Sequence, residues 1–560
     1  MDRITALFFV WLLLPTTTFA ADVYMSTTGT KTSGKSIAGN WTNANCYNNL
    51  QAAMSAMSSG DVLTIDDGIY NKATDVIQTT DKPPNGPGTG EGDAKYTIVK
   101  ARNIPCQNGV ACAQPLKVIF GTPGSATETG IWQGSKVSSS YVKFEGLWFK
   151  QTQNIWGPTH WYFKQCAVQG DKDGNNPGIS VDETDYTIFE DFIINGKGRF
   201  NMVWFDDSYT GKNTHSVCRR CIARQDYVDA GYNDPIGGFV IYHHHGVALL
   251  NSIVIDGDPN YWVTGSAIQA AFSEENNEDN QEFTIQGSLA INDGKSLVFS
   301  QHNGATGINL IDVAGINIGG GVLYSGTSSN RVTMAHIRPD NFTYQTNGTT
   351  FVNLSTDLCG ADGCGWGYYS GGSPQQSIND SIIVDTGTAV AQFSAPNFTG
   401  NNLNYYNTSL GTYAGTKITT NPFTNGLLYP VRIETGSPLA TAGNGGQVGA
   451  NILQKLGIDG TEYGSTDWNT PQGNLWPWPL EEWVKAQMAA ADTVIGGDAM
   501  PAPTRGFASA TAKRLDGINP VTLTSYIWES LGNQIPPEIY GGSAPPTSTA
   551  HRAKFKCFIR

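Results

Sequence analysis

The chain has 560 residues, with 34 Lys and Arg against 48 Asp and Glu, for a formal net charge of −14. This balance excludes the basic footprint of a nucleic-acid-binding protein, and an acidic partner would need a local basic cleft or bound cations. The length exceeds what one ordinary hydrophobic core fills, whereas a solenoid grows by adding coils. Gly is abundant at 65 residues but follows no three-residue period, which excludes collagen.

Residues 1–20 read as a secretory signal. Arg3 gives a short charged start, Leu7 to Leu14 an apolar stretch, and Thr18-Phe19-Ala20 small residues at the cleavage position. The apolar run is too short to span a bilayer, and no later segment is a better candidate. The expectation is a secreted or periplasmic protein with no integral membrane span.

After the signal come Asp22-Val-Tyr-Met-Ser-Thr-Thr-Gly29, Trp41, Asn49-Leu-Gln-Ala-Ala-Met54 and Ser59-Gly-Asp-Val-Leu-Thr-Ile-Asp-Asp-Gly-Ile-Tyr70. Residues 50–57 have apolar helical spacing, and Gly60-Asp61 ends it. This order of strand, short helix and Gly-Asp-strand-Gly-x-Tyr resembles the capped opening of secreted right-handed parallel β-helix proteins. Tyr96-Thr-Ile-Val-Lys-Ala-Arg102, Lys117-Val-Ile-Phe-Gly121 and Tyr141-Val-Lys-Phe-Glu-Gly-Leu-Trp-Phe149 continue it. That run resembles the early coils of the chondroitinase B and alginate lyase family. The resemblance implies a polysaccharide lyase acting on an acidic, uronic-acid glycan.

A short strand signal then recurs: Cys166-Ala-Val-Gln169, Asp191-Phe-Ile-Ile-Asn195, Cys221-Ile-Ala-Arg224, Asn251-Ser-Ile-Val-Ile-Asp256, Gly287-Ser-Leu-Ala-Ile-Asn292, Asn309-Leu-Ile-Asp312 and Asn379-Asp-Ser-Ile-Ile-Val-Asp385. Spacings of about 20 to 36 residues belong to solenoids, in which each strand buries its apolar face only against its neighbours. The expected fold is all-β, a right-handed parallel β-helix over residues 21–455. A helical cap precedes it, and a partly helical region over 456–560 follows it. In that last region Trp476-Pro-Trp-Pro479 introduces a helix over 480–491, and 521–531 reads as a second. Trp483 and Trp528 would pack them on the solenoid as a cap, or serve a carbohydrate-binding appendage.

Nine cysteines fit an oxidising compartment. Cys106 with Cys112, and Cys359 with Cys364, bracket short loops and are candidate disulfides. Cys218 and Cys221 have the spacing of half a zinc site. On a strand, however, residues three apart face opposite sides, so burial in the β-helix rather than a zinc site is expected.

β-Elimination requires a group that neutralises the uronate carboxylate, a base and a proton donor, all projecting from neighbouring coils. Residues 197–224 hold a local basic excess, with Arg199, Arg220 and Arg224 as candidates. The same arginines also suit pairing with acids such as Asp226 or Asp229. His243 and His245 would share a strand face, as base and helper, as a metal pair, or as a polar ladder without chemistry. Lys295 and His302, followed by Arg331, His336 and Arg338, supply further base, acid and substrate-binding candidates. A Lys followed a coil later by an Arg is the order of base and acid in the chondroitinase B and alginate lyase family, although the flanking residues do not match. Calcium is the candidate cofactor, with Asp206, Asp207, Glu274 and Glu275 as its ligands. Val203-Trp-Phe-Asp-Asp207 is similar to the WIDH strand of pectate lyases, whose aspartate serves calcium, with Asp207 in the place of the histidine. Aspartate clusters of the polygalacturonase type are not evident, and neither is the setting of the pectin methylesterase arginine. Elimination therefore ranks first. A non-catalytic glycan-binding or adhesive β-helix is the main alternative, and a glycoside hydrolase or epimerase is the third.

Overall fold

The computed structural model describes residues 20–541 apart from 126–129, 133–135, 172–175, 206–212, 228–236, 243, 258–269, 275–282, 292–296, 302–307, 317–326, 331–332, 336–375, 385–397, 402–403 and 407–415. Its long sheets contain fourteen, thirteen and six strands. One coil shows the plan. Tyr162–Lys164 lies in the first sheet, Ala167–Gly170 in the second and Pro177–Asp182 in the third. Ile188–Glu190 then returns to the first sheet and pairs in parallel with Tyr162–Lys164. The chain is a right-handed parallel β-helix, the hand that parallel crossovers adopt.

Register explains the recurring signal. Phe144, Phe163 and Phe189 are in register on successive coils, and their rings stack at 5.0 Å centroid spacing. Between the first and second sheets the chain turns through one left-handed residue on seven of the described coils. These residues are Gln165, Asp191, Arg220, Asn251, Gly287, Asp312 and Asp380, with φ between 47° and 61°. Asn, Asp and Gly tolerate that conformation best, which is why they punctuate the strands. The next residue points inward, so Cys166, Phe192, Cys221, Ser252, Ser288, Val313 and Ser381 are all fully buried. The serines find partners there: Ser252 Oγ donates to the Cys218 carbonyl at 3.2 Å, and Ser288 Oγ to the Leu249 carbonyl at 3.4 Å. The same turn corrects one expectation. The left-handed Arg220 folds the chain back, so Cys218 and Cys221 both face the interior and form a disulfide. Cys106 and Cys112 are also bonded; Cys359 and Cys364 lie outside the described residues.

The N-terminal end carries helix α1 (Leu50–Ser55), capped by the Asn49 side chain, which accepts from the Ala52 N–H at 2.8 Å. Helices α2 (Glu481–Ala489) and α3 (Leu523–Trp528) lie in the C-terminal region, with Trp483 and Trp528 fully buried. That region runs back along the outside of the solenoid. Residues 454–474 lie on the first sheet, where Leu456, Tyr463 and Trp468 pack against Val217, Ala248 and Leu250. Residues 487–508 lie on the second sheet, through Asp492 on Lys150 at 2.6 Å, Asp498 on Lys197 at 2.5 Å and Arg505 on Asp226 at 2.8 Å.

Two glycines permit the close approach. A Cβ on Gly457 (φ 77°) would meet the Trp468 carbonyl oxygen at 2.1 Å, and one on Gly506 (φ 58°) would meet Asp256 Oδ2 at 1.9 Å. Both the contact and the backbone conformation disfavour any side chain. Gly506→Ala is expected to cost on the order of 1–3 kcal/mol. It should expose residues 487–508 to limited proteolysis while the early coils stay resistant.

Candidate functional site

The arginine-rich coil is occupied internally. Arg219 is fully buried and gives Nη1 to Glu190 Oε1 at 2.8 Å, while its Nη2 donates to the Thr461 and Trp468 carbonyls at 2.8 Å each. Arg220, 3% exposed, is bidentate on Asp191 at 2.7 and 3.0 Å and reaches Asp459 at 3.0 Å. Arg224, fully buried, pairs with Asp226 at 2.9 Å and donates to the Pro503 and Met488 carbonyls at 3.0 and 3.3 Å. Arg220 and Arg224 thus fasten the C-terminal region to the first and second sheets, and Asp226 is the acid partner weighed from the sequence.

These contacts fall on two sheets and direct attention to the third. In its first four strands, Gln153–Trp156, Pro177–Asp182, Phe200–Phe205 and Gly237–Tyr242, the residues Ile155, Val181, Trp204 and Ile241 belong to the interior. Strand alternation turns their neighbours outward. One outer row holds Trp156, Asp182 and Tyr242, aligned through the Cα register of successive strands, and the next runs Asn154, Ser180, Val203, Val240. Asn154 is exposed and Trp156, Ser180 and Tyr242 are half-buried, whereas Asp182, Val203 and Val240 are buried. At the other end of the strands, Phe200 packs with Val203, Val240 and Tyr242 outside the main core, and the Arg199 guanidinium lies 5.1 Å over the Phe200 ring. Of the three candidate arginines, Arg199 is the one stationed at this sheet.

The remaining candidates divide as follows. His243, Lys295, His302, Arg331, His336, Arg338, Asp206, Asp207 and Glu275 lie outside the described residues. Glu274 ends the strand Ala270–Glu274, its Cα in register with Ile241. His245 opens the first-sheet strand His245–Leu250, whereas Tyr242 closes a third-sheet strand. His245 therefore stands past a corner from the strand that Tyr242 closes, so strand alternation does not apply to it, and His244 is fully buried. Among the described residues no three His, Cys, Asp or Glu side chains gather as a metal ion requires.

The sequence reading missed a column of rings at that corner. Tyr141, His160, Tyr186 and His215 occupy left-handed positions, with φ of 54°, 53°, 52° and 33°. Their rings stack at 4.2, 5.0 and 4.7 Å within 10° of parallel. His160 Nδ1 faces Glu462 Oε1 at 2.9 Å, and His215 Nδ1 faces Asp185 Oδ1 at 3.0 Å. The available signal was positional: each ring precedes an outward first-sheet residue (Lys143, Tyr162, Ile188 or Val217) by two residues, and those four are in register.

No protein-family model matches the sequence, and no curated protein matches it. Among solved structures, the pectate lyase Pel9A is similar at 13% identity, covering 81% of this chain and 96% of its own, with a TM-score of 0.41. The PL6 family alginate lyase AlyGC is similar at 11% identity over 72% of this chain and 53% of its own, with a TM-score of 0.38. A mannuronic acid specific polysaccharide family 6 lyase from human gut microbiota is similar at 11% identity, over 65% and 74%, with a TM-score of 0.31. Likeness this loose carries no weight for activity, and the β-helix rests on its own sheets.

Acid should loosen the two halves of the wrap differently. Burial pushes Asp459 and Glu462 up, but Arg220 and Lys164 around the first, and His160 and Lys95 around the second, outweigh it and hold both below their ordinary values. Their stabilisation is present above the ordinary carboxylate range and is lost as pH falls through the depressed values. Asp256, buried beside Phe507 and Tyr526, is instead raised by burial, so its protonation in acid favours the folded state. Hydrogen exchange during acid titration below about pH 4 should show residues 457–463 opening before 505–508.

Proposed function

We propose that this protein is a secreted polysaccharide lyase that cleaves an acidic, uronic-acid glycan by β-elimination, with the chain lying across the outer face of the third sheet. The observation that carries the reading is the in-register face itself: Asn154, Trp156, Ser180 and Tyr242 supply aromatic surface and hydrogen-bonding groups on adjacent coils, flanked by the Arg199 guanidinium over Phe200. Coils repeat at about 4.8 Å, so a linear glycan laid along the rows meets an equivalent position on each coil. Aromatic faces receive sugar C–H surfaces, while amide and hydroxyl side chains receive sugar hydroxyls.

In elimination, a cation beside the uronate carboxylate acidifies the neighbouring C–H, a base removes that proton, and the C–O bond to the next sugar breaks. Arg199 is assigned to bind a uronate carboxylate of the glycan where the strands begin, because Arg220 and Arg224 are sealed beneath the C-terminal region. Proton transfer is assigned to the side of the sheet where the strands end. In the chain, His243 directly follows Tyr242 and His302 directly follows Gln301, with His245 and Lys295 close by.

Incubation with alginate, polygalacturonate and chondroitin, followed by the ultraviolet absorbance of the unsaturated product, tests the reaction. One of the three should yield product, and Arg199→Ala should lower kcat/KM by on the order of 10- to 100-fold, the loss of a charge-assisted contact. Retarded migration in a glycan-containing gel without product from any of them would replace the lyase with a glycan-binding β-helix.

A further inference from the structure

We propose that His215, oriented by Asp185, is a catalytic base at the edge of the third-sheet face. This rests on the lyase reading above. Asp185 lies three residues beyond Asp182, the outward end of a third-sheet strand, and His215 occupies the equivalent corner one coil on. An ionised carboxylate only accepts hydrogen bonds, so the 3.0 Å contact to Asp185 Oδ1 places the proton on His215 Nδ1 and leaves the lone pair on Nε2. Among the described residues Nε2 has no hydrogen-bond partner. The side chain is 24% exposed, which leaves an edge within reach of a ligand. A carboxylate–histidine pair of this kind holds an imidazole in the tautomer and orientation that a base needs.

The ring column fixes the imidazole further. Tyr186 stacks on one face at 4.7 Å. On the following coil the equivalent position is Gly246 (φ 75°), where a Cβ would sit 3.3 Å from His215 Cδ2, the carbon next to Nε2. The ring column therefore ends at His215, with no side chain stacked on it from the Gly246 rung. Among the described residues, the groups against His215 are Asp185 and Tyr186 from the preceding coil, Gly246 from the following coil, and Tyr463 of the C-terminal segment at 5.6 Å. His160, lower in the column, differs: its Nδ1 partner is Glu462 of the C-terminal segment, so its role is to hold that segment.

In the step assigned to His215, Nε2 takes the proton from the carbon next to the uronate carboxylate. The C–H electrons form the C=C bond, the glycosidic C–O bond breaks, and the leaving oxygen takes a proton from solvent. No oxidant or reductant is consumed.

The test uses whichever of alginate, polygalacturonate and chondroitin the full-length protein converts to unsaturated product. If none is converted, the lyase reading itself fails, and this is seen with the wild-type protein before any variant is made. With an active glycan, His215→Ala should lower kcat by about 100-fold or more with little change in KM, and added imidazole should restore part of the rate. Asp185→Asn should lower kcat less and alter the acidic limb of the pH–rate profile. His160→Asn interrupts the same ring column without removing the base. It should keep kcat and the profile, while loosening residues 454–474 in limited proteolysis. A His215→Ala protein with wild-type kcat and pH profile would overturn the proposal. So would an equal loss of kcat in His160→Asn, because the column would then act only as packing.

Discussion

The arrangement depends on three arginines on one coil that have been taken out of water. Arg219, Arg220 and Arg224 lie beneath residues that follow them by more than two hundred positions, and each needs an acid or carbonyl from that later segment to complete its hydrogen bonds. A buried charge that loses its partner costs about 3–5 kcal/mol. The C-terminal region is therefore not an optional appendage. It supplies the final ligands for charges that the solenoid has already committed to its outer faces. Glu190 shows the same dependence from the acid side, accepting at once from Arg219, from the Gly460 N–H and from the Tyr162 hydroxyl, whose own ionisation burial pushes far up.

That constraint has a functional consequence. A β-helix has three outer faces, and covering two of them through fixed ion pairs decides which face meets a ligand. The third sheet brings together a half-buried indole, a half-buried phenol and a guanidinium flanked by an aromatic ring. The corner that follows its strands holds His215, whose tautomer is set by Asp185. Binding surface and proton-transfer groups therefore occupy consecutive parts of the same coils, so a rigid stack of strands can hold both in register without a moving part.

The solenoid was legible in the sequence because its corner chemistry is local. Asp191, Asn251, Gly287 and Asp380 stand where a left-handed turn is needed, and the residue after each is drawn inward. The cap at Asn49 and the helices containing Trp483 and Trp528 follow from equally local signals. The site was less legible, because outer-face residues are defined by what later covers them. An arginine cluster reads the same whether it faces a substrate or a returning segment, and nothing near Arg220 in the sequence announces Asp459. Similarly, His243-His244-His245 looks like a strand until a corner sets His245 apart from Tyr242, whereas His160 and His215 look unremarkable until register stacks them. The Cys218–Cys221 bond was missed for a related reason: strand geometry keeps such residues apart, and one left-handed residue between them does not.

The central claim is that the third sheet, and not the two sheets beneath the C-terminal region, receives the glycan. Hydrogen–deuterium exchange with and without saturating oligosaccharide of the active glycan measures this most directly. The account predicts added protection in Gln153–Trp156, Pro177–Asp182 and Gly237–Tyr242 and at the corner residues 185–186 and 215, with residues 454–474 unchanged. Protection confined to residues 454–474 and the first-sheet strands beneath them would contradict it.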